Sequence, residues 1–95
     1  MKDINKGREN QEFEEVIDSN KGIVNFLTLH NDEIHTFEYV IESLIEVCEH
    51  DMEQAEQCTY LVHYRGKCDV KKGNFKFLSP MKKELSRRGL SVTIE

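Results

Sequence analysis

Six apolar residues between positions 37 and 48 repeat with helical spacing. Phe37, Val40, Ile41, Leu44, Ile45 and Cys48 fall at i, i+3, i+4, i+7, i+8 and i+11, and Glu38, Glu42, Glu46 and Glu49 take the opposite face. A period near 3.6 gathers such positions into one stripe, so the segment is predicted to be an amphipathic helix with that stripe buried. A helix of this kind must lay its stripe on another layer. The nearest candidate precedes it: Ile23-Val24-Asn25-Phe26-Leu27-Thr28-Leu29, rich in β-branched and aromatic residues and entered through Gly22. Both of its faces are largely apolar, which predicts a buried strand rather than an edge.

Further along, Asp51-Met52-Glu53-Gln54 has the spacing of a capping box. The helix it opens is expected to bury Met52, Ala55, Cys58 or Thr59, and Val62, and to stop at Gly66. Only Glu49-His50-Asp51 separate the two helices, so they should form a tight antiparallel hairpin. Lys67 to Lys71 alternates with Cys68 and Val70 on one side, a short strand, and Gly73-Asn74 then turns the chain into a third helical segment. Proline inside a helix costs on the order of 3 kcal/mol. Ser79 is therefore expected to interrupt that segment and cap a fresh start with Pro80 at its first position. Gly89 ends the segment after Arg87 and Arg88, and Leu90, Val92 and Ile94 alternate in a half-buried strand. The order β-α-α-β-α-β predicts an α+β fold, a small two-layer sandwich with a three-stranded sheet covered on one face by helices. Residues 1–21 are expected to be a flexible N-terminal arm and 22–95 the core domain. Phe13, Val16 and Ile17 in the arm have helical spacing, which fits either a turn against a partner or incidental apolar residues in a tail.

Composition narrows the class. Ninety-five residues make one domain with a small core. No apolar run approaches the ~20 residues of a membrane span, and Met1-Lys2-Asp3-Ile4-Asn5 lacks the apolar segment of a secretory signal. Three cysteines, at 48, 58 and 68, leave one unpaired in any disulfide scheme, so free thiols and a cytoplasmic location are expected. Charge is divided along the chain. Between Lys21 and Arg65 stand nine acidic residues and no Lys or Arg, whereas Lys67 to Arg88 holds eight basic residues against Asp69 and Glu84. The two halves can attract each other across the fold and offer partners surfaces of opposite sign.

Asn31, Asp32 and Glu33 lie at the strand-to-helix junction, and His63 lies in the last turn of the second helix, one residue from its buried stripe. A carboxamide oxygen, two carboxylates and a neutral imidazole nitrogen are all acceptors. With Leu29, Phe37, Val40 and Val62 around them they suit an ammonium group attached to a bulky apolar side chain, such as a peptide amino terminus. A solvated loop and a rim histidine satisfy the same spacing. Cys58 and His63 sit about 140° apart at ~100° per residue, a poor nucleophile–base pair, so no enzyme is implied. Without a CxxC or HxxxH pair no metal or other cofactor is implied either. An alternative reading makes the basic third helix a module for RNA or an acidic protein partner, although no aromatic-basic strand accompanies it.

Leu29-His30-Asn31-Asp32-Glu33, Phe37-Glu38-Tyr39-Val40, Val62-His63-Tyr64-Arg65-Gly66-Lys67 and the closing Val92-Thr93-Ile94-Glu95 together resemble the ClpS family of adaptors over residues 23–95. The resemblance implies a monomeric cytoplasmic adaptor that binds proteins with destabilising N-terminal residues (N-degrons). It would deliver them to a Clp-type AAA+ unfoldase, of the ClpA or ClpC kind, with no role for membrane or nucleic acid. It also implies roles. Asn31 and His63 would hydrogen-bond the α-amino group with help from Glu33, and Asp32 would contact the backbone near the second residue. Leu29, His35, Phe37, Val40, Thr59, Val62 and Leu90 would line the side-chain pocket. The chain departs from the family pattern in having Glu33 for a second Asp and His35-Thr36 for Thr-Pro, which moves the helix cap to Thr36. It also has Phe37 for a Met-like gatekeeper, and Thr59 for a larger apolar residue.

Overall fold

The computed structural model of the protein describes residues 23–95; the expected arm over 1–21 lies outside them. Three strands and three helices follow in the order β1 (Asn25–His30), α1 (Phe37–Cys48), α2 (Met52–Arg65), β2 (Lys67–Gly73), α3 (Phe75–Arg87) and β3 (Ser91–Ile94). All pairing is antiparallel, with β1 in the centre of the sheet order β2-β1-β3. This is the α+β arrangement expected from the pattern. The central strand is shorter than its apolar run, because Ile23 and Val24 precede the ladder at 60% and 42% exposure. It is also less deeply buried than expected. Leu27 and Leu29 bury completely with the core, while Phe26, on the alternate face, stays 38% exposed.

The core joins the sheet to the helices through Leu27, Leu29, Leu44, Ala55, Val62, Leu78 and Leu85, with Val40, Ile41 and Ile45 packed against it. On α2 both Cys58 and Thr59 bury, but Met52 is 56% exposed. Met52 is the first residue of the helix. The caps stand where the sequence puts them. Thr36, Asp51 and Asn74 each accept a hydrogen bond from the amide three residues on, and Gly66 closes α2 with φ 94°.

Pro80 does not restart a helix. It lies inside the single helix Phe75–Arg87, on the exposed side. Leu78 and Leu85, both fully buried, flank it. Burying such side chains contributes roughly 1.5–3 kcal/mol each, enough to carry the helix past one lost hydrogen bond. A second local irregularity is a bulge in β2. Leu27 pairs with Lys71 and Thr28 with Asp69, so Val70 has no partner of its own. The carbonyl of Val70 instead accepts from Nε2 of the buried His50, at 2.7 Å. Lys71 Nζ donates to the carbonyl of Cys48 at 2.8 Å and closes the end of α1. Among the described residues no helix is long and apolar enough to cross a membrane.

Candidate functional site

β1 delivers the polar junction to the end of α2 through the sheet itself. His30 pairs with Lys67, and the next amide, that of Asn31, donates to the carbonyl of Gly66 at 2.9 Å. This tie sets Asn31 beside the last turn of α2, where His63 projects. Loop 31–36 is folded by Asp32. Its Oδ1 accepts from the amides of Ile34 (2.8 Å) and His35 (3.0 Å), and its Oδ2 accepts from His35 Nδ1 at 3.0 Å. Burial works to raise the Asp32 pKa, but the two amides and the His35 ring together hold it below the ordinary carboxylate value. With Nδ1 as donor, Nε2 of His35 is left as an acceptor.

His35 stacks on Tyr39 with ring centroids 4.9 Å apart, and Tyr39 donates its hydroxyl proton to the carbonyl of Arg88 at 2.7 Å. The same ring sits against Gly89, where a Cβ would come within 3.1 Å of Nε2, at a backbone φ of 89°. The positive φ favours glycine there, and a Cβ would press on the His35 ring. These contacts bring the α3–β3 turn, and with it Leu90, up to the loop.

Between these elements lies a cavity of about 40 Å³. Its apolar walls are Leu29 from β1, Phe37 and Val40 from α1, Val62 from α2, and Leu90; Thr59 of α2 also lines it. The hydroxyl of Thr59 donates to the carbonyl of Ala55 at 2.7 Å, so its oxygen is left to accept. Around the rim stand Asn31, Asp32, His35 and His63. Glu33 is not on the wall; it accepts from Asn31 Nδ2 at 3.3 Å, which orients that carboxamide and leaves its oxygen free to accept. His30, not singled out from the sequence, also lines the cavity while its Nε2 meets Thr93 Oγ1 at 2.8 Å. Its position between Leu29 and Asn31 was the only signal for it. Phe37 meets His63 edge-on at 5.2 Å and Tyr60 at 5.7 Å.

Nucleophilic chemistry finds no support in the thiols. Burial, opposed by nearby Lys71, pushes Cys48 up to about 11. Burial reinforced by Cys68 pushes Cys58 to about 12. Both are protonated at neutral pH.

An apolar cavity under a rim of acceptors, in a small α+β frame, has the form of a ligand-binding site. Residues 25–93 match the family model described as ATP-dependent Clp protease adaptor protein ClpS. The chain belongs to the ClpS family, a family of adaptors and not of enzymes. Its fold is similar to that of ClpS2 from Agrobacterium tumefaciens, whose structure was solved bound to L-phenylalaninamide. That likeness has a TM-score of 0.72 at 20% identity and covers 76% of this chain and 94% of the other. No curated protein matches the sequence.

Proposed function

We propose that the cavity holds the N-terminal residue of substrate proteins and that the chain delivers them to a Clp AAA+ unfoldase. The observation that carries this reading is the convergence of acceptors on a single apolar cavity. Asn31, Asp32 and His63 come from a loop and a helix far apart in sequence, yet they rim one hollow. The Asn31 oxygen and the His63 ring accept from the α-ammonium group, and Glu33 acts through Asn31. Asp32 already receives three hydrogen bonds. A carboxylate has about four acceptor sites, so one remains for the backbone amide of the second residue. The similarity to an adaptor solved with an amino-acid amide supports the same reading.

A volume of about 40 Å³ falls short of the ~150 Å³ that admits a benzene ring. Entry of a bulky side chain therefore requires a wall to move, and we assign that role to the half-buried Phe37 ring. Three free thiols suit the reducing cytoplasm. Docking on the unfoldase falls to Lys76, Lys82 and Lys83, which pair with no carboxylate among the described residues. Arg87 and Arg88 are instead held by Glu84 and Glu46. Titration of a fluorescent peptide with N-terminal Phe, free or acetylated at its amine, tests the proposal. The free amine should bind at least tenfold tighter, and equal binding would refute it.

A further inference from the structure

Outside the cavity, the same rings continue onto the surface of α2. Tyr60 and Tyr64, 55% and 71% exposed, stack face to face with centroids 5.4 Å apart and planes at 14°. Tyr60 meets Phe37 edge-on at 5.7 Å, and Tyr64 meets His63 edge-on at 4.9 Å. Phe37 and His63 are cavity walls, so the tyrosine pair is a ledge directly continuous with the pocket mouth. Contiguous exposed apolar side chains, unlike scattered single ones, mark a contact surface. The segment that carries this ledge is acidic. Glu56 stands one turn before Tyr60 on the same helix face, and no Lys or Arg occurs between Val24 and Tyr64. Arg65, the first cation beyond, is turned ~100° from Tyr64 around the helix.

We propose that Tyr60 and Tyr64 form a second subsite that takes an arginine side chain at position two of the substrate. The inference rests on the pocket reading above. An extended chain advances ~3.3–3.6 Å per residue, and the ledge touches the cavity walls through the Tyr60–Phe37 and Tyr64–His63 contacts, so these rings lie within reach of the second side chain. A planar guanidinium stacks on tyrosine faces and is drawn by the acidic field. Lysine feels the field but stacks less well, and an acidic residue is repelled.

The test compares peptides that begin Phe-Arg, Phe-Lys, Phe-Ala and Phe-Phe and are otherwise identical and uncharged, titrated against the full chain and its Tyr60→Gln/Tyr64→Gln variant. Glutamine suits an exposed helical position, and circular dichroism checks the fold. In the wild type, Arg should exceed Lys by roughly 2- to 5-fold, with Lys above Ala. In the variant the Arg-over-Lys margin should vanish while Lys stays above Ala. Each ratio is taken within one protein, so a general loss of affinity cancels. Equal binding of Arg and Lys by the wild type, a margin that survives in the variant, or Phe-Phe binding tighter than Phe-Arg would overturn the subsite and leave the pocket standing. If no peptide with N-terminal Phe binds at all, the pocket reading fails and the subsite fails with it.

Discussion

Phe37 is the residue whose replacement should change what the pocket accepts. It is half-buried and held at the cavity by ring-edge contacts, to His63 at 5.2 Å and to Tyr60 at 5.7 Å. Aromatic pairs of this kind contribute ~0.5–1.5 kcal/mol each, so swinging the ring out of both costs on the order of 1–3 kcal/mol. A planar side chain entering the cavity recovers that cost by forming its own contact with Phe37. A β-branched one does not, because its second γ-carbon meets the ring near the entrance. N-terminal Phe, Tyr and Trp should therefore bind better than Leu. Ile and Val should bind roughly ten- to a hundredfold more weakly than Phe. Phe37→Ala removes the barrier and the aromatic contact together. For Phe the two losses offset, so its binding should stay roughly level, while Ile and Val gain. Competition of six peptides, differing only in the first residue, against a fluorescent reference on both proteins reads all of this at once. Wild type that binds Val as well as Phe would refute the gatekeeper argument.

Asn31→Ala and His63→Ala should each weaken binding of a Phe peptide by about one to two decades, since hydrogen bonds to a charged group contribute ~1.5–3 kcal/mol. Unchanged titrations of both variants would put the amino-group site elsewhere. Replacing Lys76, Lys82 and Lys83 with Gln should weaken capture by the unfoldase and remove its salt dependence, yet leave binding of an uncharged peptide intact; salt-insensitive capture by the wild type contradicts this. Asp32 titrates below its unfolded value, so its stabilisation is full above the ordinary ~3.9 and is lost as pH falls through the lower folded value. Acid unfolding curves should accordingly be shallower for Asp32→Asn, and parallel curves would count against the loop network. Glu49, in the left-handed region at φ 61°, should gain stability on replacement by Gly, roughly 0.5–1 kcal/mol; a lower melting temperature would contradict that.

The fold was legible wherever a period or a cap recorded it. The stripe from Phe37 to Cys48, the cap at Asp51 and the stop at Gly66 need only neighbouring residues, and the helices formed as read. The attraction expected between the acidic and basic halves takes one concrete form, Arg88 Nη1 on Glu46 Oε1 at 2.8 Å. Errors arose where a distant contact outweighed a local rule. Pro80 disfavours a helix interior, but the burial of Leu78 and Leu85 on either side of it decides the outcome. The bulge at Val70 and the buried His50 that serves its carbonyl depend on strand register, which no local spacing encodes. The cavity was readable in part: acceptor chemistry alone grouped Asn31 with His63, but a solvated loop and a rim histidine satisfied the same spacing, and the family resemblance decided between them. Glu33 stands behind the wall rather than on it, and that follows from its hydrogen bond to Asn31.

The most direct test of the pocket is a titration followed by amide resonances of the protein. A peptide with a free N-terminal Phe should give saturable shifts concentrated at Asn31–Thr36 and Thr59–His63, and the same peptide acetylated should give almost none. Shifts of equal size with both peptides, or shifts confined to α3, would contradict the claim that this cavity reads an amino terminus.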